Sequence, residues 1–266
     1  MMKNIPLASP DIRDEDIQAV SEVLKSGMLV QGKQVANLEA NISTYTNSIN
    51  VSAVSNGTAS LHLALVALGI SKGDEVIIPA LSYIATANVI ELVGATPIFV
   101  DIEDKYCNID PQKIEAEITP ETTAIMPVHV YGNPCDVHTI QKIADKHNLK
   151  VIYDGAHAFG VKMDGESVFN YGNISTCSLH AIKLFHTGEG GLVITKDPAL
   201  LKKKVQSRNF GYDAHGNINS LGINGKNSEF HAAMGLANLK YIEDISIKSQ
   251  LLTARYDLNL KTLKAI

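Results

Sequence analysis

The feature that most constrains this fold is a regular alternation of short apolar runs with longer segments of helical pattern. The apolar runs are rich in β-branched side chains and lack the polar alternation of half-exposed strands, which is typical of strands buried on both faces of a sheet. Strands are predicted at residues 51–54, 75–78, 97–100, 123–127, 151–153, 175–179 and 191–195.

Helical patterns fill most of the connections between these strands. Helices are predicted at residues 58–68, 84–93, 111–118, 137–147, 197–207, 228–241 and 245–266, and the Gly- and Asn-rich stretch 209–224 is predicted to be a loop. The alternation indicates an α/β fold with a mostly parallel central sheet covered by helices. Because ligands of such folds bind beyond the carboxyl ends of the strands, we expect the chemistry of this chain there.

Composition argues against several classes of protein. The 266 residues are 45% hydrophobic and 19% charged, the balance of a globular rather than a disordered chain. The net charge is −5 and no basic run is longer than three residues, so no nucleic-acid partner is expected. No apolar run reaches the ~18 residues of a membrane span. Cys107, Cys135 and Cys177 lie too far apart for a disulfide framework or a zinc pattern, so we expect no metal site and a cytoplasmic location.

The turn after the first predicted strand is a candidate phosphate site. There, residues 55–60 read Ser-Asn-Gly-Thr-Ala-Ser and lead directly into a helix. Gly57 permits a tight turn, and the unpaired first amides of a helix, together with its dipole, bind phosphate groups. The alternative is an ordinary helix start, in which Thr58 or Ser60 caps only backbone.

The turn after the fifth predicted strand carries a carboxylate and a histidine. Asp154 follows the apolar strand directly, where it can accept a proton from a ring nitrogen or bind a metal. His157 lies about one turn further on and can face the same ligand. The alternative is that Asp154 caps the next segment and His157 lies at the surface.

A lysine follows the sixth predicted strand. Lys183 has Ala181, Ile182, Leu184 and Phe185 as chain neighbours. Apolar surroundings lower the pKa of an amine and favour the neutral nucleophile that forms Schiff bases. The alternative for an isolated lysine is an amine that extends into solvent at a strand end. A lysine, an acidic partner and a phosphate site are, however, the three groups that pyridoxal phosphate (PLP) requires.

These turns resemble motifs of the DegT/DnrJ/EryC1/StrS family of PLP-dependent sugar aminotransferases. The similar segments occur in the same order up to about Leu236, and they are residues 55–60, 79–88, 127–132, 154–158, 178–183, 188–191, 222–224 and 228–229. The resemblance implies an aspartate-aminotransferase-like large domain of PLP fold type I. This sequence departs from the family pattern at Leu179, where Phe is usual, and at Ile182, where Thr is usual.

The resemblance also implies a role for each matching residue. Lys183 would form the imine with PLP and move the proton, Asp154 would pair with the ring nitrogen, and Tyr83 would stack on the ring. His157 would lie beside the ring oxygen. The phosphate would be held by Gly57, Thr58, Ala59 and Ser178, and by Asn224 of the neighbouring subunit, so a homodimer with shared active sites is expected.

Four further residues are weaker candidates for substrate contacts. These are His180, His186, Glu189 and Lys226. Lys226 and the following Asn227 stand where Arg-Met is common in the family, so the choice of substrate is most open at this segment.

Within the family, residues 154–160, 170–172 and 225–229 are most similar to enzymes that act on dTDP-linked 6-deoxy keto sugars. This implies glutamate as amino donor and amination at C4 to give dTDP-4-amino-4,6-dideoxyglucose for O-antigen, with amination at C3 as an alternative. A deoxygenating dehydratase would carry His in place of Lys183, so the lysine counts against it. A non-catalytic PLP-binding fragment is a further alternative. A nicotinamide oxidoreductase is not expected, because it would need a glycine fingerprint that this sequence lacks.

Family members continue into a smaller C-terminal domain. We therefore expect residues 1–240 to form the PLP-binding large domain with its N-terminal segment. Residues 241–266 would begin a helix that leads to a small domain missing from this chain.

Overall fold

The fold is an α/β sandwich, seen in a computed structural model that describes residue 6 and residues 9–261. The helices are α1 (Asp14–Ser26), α2 (Lys33–Thr46), α3 (Gly57–Leu68), α4 (Ala85–Leu92), α5 (Pro111–Ile114), α6 (Val137–His147), α7 (Pro198–Ser207), α8 (Glu229–Leu239) and α9 (Ile242–Leu260). The strands are β1 (Val51–Val54), β2 (Glu75–Pro79), β3 (Thr96–Val100), β4 (Thr122–Ile125), β5 (Lys150–Asp154), β6 (Lys162–Met163), β7 (Glu166–Ser167), β8 (Ile174–Ser178) and β9 (Gly191–Ile194).

Seven of these strands form one sheet, in the order β1-β9-β8-β5-β4-β2-β3. The pairs from β8 to β3 are all parallel, whereas β9 is antiparallel to both of its neighbours. β9 is therefore the one strand of this sheet that runs against the others, and the remaining six end at the same edge. The short strands β6 and β7 form a separate antiparallel hairpin.

Side-chain alternation along the strands divides the core between the two faces of the sheet. On one face Ile152 belongs to a buried cluster with Leu65 of α3 and Ile90 of α4. On the other face Tyr153 packs in a cluster with Ile140 of α6, and a third cluster joins the sheet to α2 and α8. Because helices cover both faces, β1, β8 and β9 are buried along their whole length, as the sequence pattern predicts.

The α/β architecture and all seven predicted strands are confirmed, with ends that differ by one or two residues. The predicted helix 111–118 is shorter than expected, because the α-helix ends at Ile114 and residues 115–117 form a 3-10 turn. The predicted helix 245–266 begins earlier, at Ile242, and its residues 262–266 lie outside the described part of the chain. None of the described helices has the length and apolarity needed to cross a bilayer.

Helices α1 and α2 are elements that the sequence reasoning did not assign. In α2 the buried side chains Val35, Leu38 and Ile42 have the i, i+3, i+7 spacing of one helix face, so the sequence does contain a pattern that predicts this helix. The carboxylate of Glu229, at the start of α8, accepts the amides of Gly32, Gln34 and Val35 at 2.7 to 2.9 Å. This contact caps the first turn of α2 and fixes the N-terminal segment to the core.

A buried lysine in α7 gives the fold a testable pH dependence. Lys204 donates to the carbonyl oxygens of Asn50 and Val193, and burial lowers its pKa from 10.5 to about 7. Between these two values the unfolded chain binds more protons than the native chain, so the free energy of unfolding rises with pH. The expected rise is at most about 1.4 kcal/mol per pH unit.

We expect Lys204→Met to flatten this rise, because methionine carries no proton. Urea unfolding of both proteins across the same pH range would measure it. The difference between their free energies of unfolding should change with pH, and two parallel curves would contradict the assignment.

Candidate active site

The predicted site residues come from turns at one edge of the sheet. Asp154 is the last residue of β5 and Ser178 the last of β8. Ser178 and Val54, the last residue of β1, both pair with Gly191 at the start of β9. The structure therefore brings together the carboxyl ends of β1, β5 and β8, where an open α/β sheet binds its ligands.

The N-terminus of α3 forms an anion site against the end of β8. Asn56 is the N-cap, and its side chain accepts the amide of Ala59 at 2.8 Å. The amides of Gly57 and Thr58, the first two of the helix, have no intrahelical partner and remain for a ligand. A side chain on Gly57 would lie 2.9 Å from Cβ of Ser178, so only glycine allows this close approach. Ala59, also predicted to bind phosphate, has an amide already engaged by Asn56.

Asp154 is a buried carboxylate, 5% exposed. Its Oδ1 accepts the amide of Ala156 at 3.0 Å, and its Oδ2 accepts the hydroxyl of Thr86 at 3.1 Å. Burial raises the pKa of Asp154, while these two hydrogen bonds and the positive charge of Lys183 act in the opposite direction. A carboxylate in this environment gains most from a cationic partner, such as a protonated ring nitrogen.

Lys183 is close enough to Asp154 for the two charges to act on each other. Burial lowers the pKa of the Lys183 amine, which is the direction that the sequence predicted. Among its chain neighbours, Phe185 is buried, whereas Ile182 and Leu184 are 60% and 39% exposed.

Two aromatic side chains are exposed near these turns. Tyr83, which follows β2, is 78% exposed and leaves its ring face open. Tyr131 is also 78% exposed and has a left-handed backbone with φ of 53°. Its ring stacks on His157 with centroids 5.9 Å apart, and the exposed imidazole of His157 is thereby oriented.

The remaining predicted residues fall into three places. His180 lies beside Glu189, with Nε2 and Oε1 3.5 Å apart. His186 is buried, and burial lowers its pKa, with smaller effects from the charges of Asp16 and Arg13 at the start of α1.

Asn224 and Lys226 lie along the end of β1, on the loop that precedes α8. Val54 pairs with Lys226 in an isolated bridge, and the amine of Lys226 donates to the side-chain oxygens of Asn224 and Asn209 at 2.8 and 2.9 Å. The same amine lies 4.6 Å from the ring centre of Phe210. The two predicted residues therefore contact each other, on the β1 side of the site.

Sequence reasoning missed three residues of this site. Asn56 is the cap of α3, and an Asn directly before a helix is a recognisable signal. Thr86 reaches Asp154 from 68 residues earlier in the chain, and Ser82 bonds to Thr86; no local pattern reveals these contacts.

The arrangement fits PLP on observations of this chain alone. It offers free helix amides beside Ser178 for the phosphate, a buried carboxylate for the ring nitrogen, and a desolvated amine for the aldehyde. Fold and site together define the cofactor-binding domain of a PLP-dependent enzyme.

The chain belongs to the DegT/DnrJ/EryC1/StrS aminotransferase family, whose pattern matches residues 10–266. It is 39% identical to the GDP-perosamine synthase of Escherichia coli O157:H7 over 98% of this chain and 73% of that protein. It is 48% identical to the dTDP-4-amino-4,6-dideoxy-D-glucose transaminase of Shigella dysenteriae over 80% of this chain and 59% of that protein. The chain thus spans 59% to 73% of the length of these two relatives.

A solved structure agrees with this membership. The Streptococcus pneumoniae protein Spr1654 superimposes with TM-scores of 0.93 in its PMP form and 0.92 in its PLP form, at 29% identity, over 98% of this chain and 72% of that one. The fold is therefore that of the PLP-dependent sugar aminotransferases, and PLP is the cofactor of the family.

Proposed function

We propose that this chain provides the catalytic PLP site of an enzyme that transfers the amino group of glutamate to a nucleotide-linked keto-deoxysugar. The sugar would be dTDP-4-keto-6-deoxyglucose, and the product dTDP-4-amino-4,6-dideoxyglucose for O-antigen synthesis. The observation that carries the proposal is that a desolvated lysine amine and a buried carboxylate influence each other's pKa at the sheet edge that also carries an open helix N-terminus.

When bound, PLP supplies an electron sink for the carbon atom that loses its proton. The residues of the chain position this cofactor and move the proton. The amides of Gly57 and Thr58 and the hydroxyl of Ser178 would hold the phosphate, and Tyr83 would cover the ring. Asp154 would keep a negative charge opposite the ring nitrogen.

Lys183 would act as the base that removes the proton and the acid that returns it. Its lowered pKa raises the fraction of neutral amine near neutral pH, and only the neutral amine accepts a proton. The amine is also the group that would join covalently to the cofactor. His157, oriented by Tyr131, would contact the ring oxygen.

Two observations bear on the choice of substrate. The Shigella relative is named for a dTDP sugar, whereas the E. coli relative is named for a GDP sugar and matches more of this chain. Lys226 lies on the exposed loop beside the phosphate site and is well placed to contact the substrate.

We expect the enzyme to aminate dTDP-4-keto-6-deoxyglucose faster than its GDP-linked counterpart or a dTDP-3-keto-6-deoxy sugar. Each sugar would be supplied with glutamate, and the product identified by NMR. The 4-amino dTDP sugar is the expected product. A preference for the GDP sugar would show that the nucleotide is GDP rather than dTDP. A 3-amino product would show that the enzyme aminates C3 rather than C4.

The proposal includes a cytoplasmic homodimer with shared active sites. Asn224 would reach the phosphate of the second copy, and the three free cysteines suit a reducing compartment. We further propose that residues 1–240 are the PLP-binding domain and that residues 241–266 begin the connection to a smaller domain of the complete enzyme.

A further inference from the structure

Two hydroxyl groups outside the predicted site form a chain of hydrogen bonds to Asp154. The Oγ of Ser82 lies 2.6 Å from Oγ1 of Thr86, and Oγ1 of Thr86 lies 3.1 Å from Oδ2 of Asp154. Thr86 is 1% exposed and Ser82 is half-buried, so the chain runs from the mouth of the site into the protein.

The direction of these hydrogen bonds depends on the charge of Asp154. An ionised carboxylate only accepts, so Thr86 must donate its single hydroxyl hydrogen to Asp154. The oxygen of Thr86 is then free to accept from Ser82, and the two bonds polarise each other in the same direction. Burial favours the neutral acid, and donated hydrogen bonds favour the carboxylate.

The same turn also carries the residue expected to cover the cofactor ring. The amide of Thr86 donates to the carbonyl oxygen of Tyr83 at 3.0 Å. One short segment therefore holds both Tyr83, on the ring face, and the two hydroxyls that act on the partner of the ring nitrogen.

We propose that Ser82 and Thr86 form a hydroxyl relay that holds Asp154 as an oriented carboxylate for the ring nitrogen of PLP, which makes Thr86 a positioning residue. The inference rests on the proposed function, in which Asp154 pairs with that nitrogen. Within the described part of the chain, the Thr86 hydroxyl bonds to Asp154 and Ser82 and to no group of the phosphate cradle.

The test compares PLP with a carbocyclic analogue in which carbon replaces the ring nitrogen. Thr86→Val has nearly the same shape but no hydroxyl, and Thr86→Ser keeps the hydroxyl. Equilibrium dialysis of the ligand-free proteins would give the dissociation constant of each ligand. Thr86→Val loses a hydrogen bond to a charged group, so its dissociation constant for PLP should rise about tenfold or more.

The relay predicts that Thr86→Val leaves the binding of the carbocyclic analogue unchanged and that Thr86→Ser restores PLP binding. Equal weakening of both ligands, or unchanged PLP binding, would overturn it. If Thr86→Val does not fold, Ser82→Ala at the half-buried end should weaken PLP selectively by a smaller factor, and no selective loss would overturn the relay.

Asp154→Asn separates this inference from the proposed function. If Asp154→Asn does not weaken PLP relative to the carbocyclic analogue, the role of Asp154 itself fails. If Asp154→Asn weakens PLP selectively and Thr86→Val does not, the relay alone fails.

Discussion

Replacing Lys183 with alanine is expected to lower the rate of the glutamate half-reaction by about 10³-fold or more, while the protein still binds PLP. The variant loses an amine whose charge and that of Asp154 act on each other, and positioned acid–base groups contribute about 10²–10⁴-fold. The phosphate cradle at α3 and the carboxylate of Asp154 remain, so PLP should still bind without a covalent bond. Visible absorbance after addition of glutamate would follow the half-reaction.

Two variants control this experiment. Lys183→Arg keeps the positive charge but cannot act as the base, so it should be as inactive as Lys183→Ala. Lys142→Ala removes an exposed lysine from α6 and should react at the wild-type rate. Turnover by Lys183→Ala at the wild-type rate would refute the assignment of the catalytic base.

The largest expected effect on stability comes from Glu229. Glu229→Ala removes the acceptor of three backbone amides in the first turn of α2, at Gly32, Gln34 and Val35. Because unsatisfied buried donors cost about 1–3 kcal/mol each and part of this turn can rehydrate, we expect a loss of about 3 kcal/mol. Urea unfolding followed by circular dichroism would measure it.

The loss should be local as well as global. Hydrogen exchange of the first-turn amides of α2 should accelerate more than that of the amides of α6, which Glu229 does not contact. Glu229→Gln keeps the size of the side chain but offers one carbonyl oxygen, so its loss should be intermediate. Glu22→Ala, which removes an exposed carboxylate from α1, should change stability by less than about 0.5 kcal/mol. Equal losses of stability for Glu229→Ala and Glu22→Ala would contradict the capping role of Glu229.

The sheet could be predicted from the sequence because most of its strands are short buried runs rich in β-branched residues. The same reasoning located the site, since turns at the carboxyl ends of parallel strands meet at one edge. Asp154 and Lys183 could be identified in this way because each directly follows such a strand or lies a few residues beyond it.

The features that could not be predicted from the sequence are hydrogen bonds between distant segments of the chain. The carboxylate of Glu229 binds amides 194 to 197 residues earlier in the chain, and Thr86 reaches Asp154 across 68 residues. The pKa of Lys183 was predicted in the right direction, although only Phe185 of the apolar neighbours Ile182, Leu184 and Phe185 is buried. Local pattern predicts which residues carry chemistry, whereas tertiary packing decides what tunes them.

Lys183 is expected to be the residue that binds PLP covalently. Borohydride reduction of the PLP-treated protein, followed by peptide mass spectrometry, would identify that residue, because reduction makes the imine permanent. We expect one stoichiometric pyridoxyl group on the peptide that contains Lys183 and none there when glutamate is added before reduction. A label on other lysines, or no stoichiometric label, would refute the assignment of Lys183.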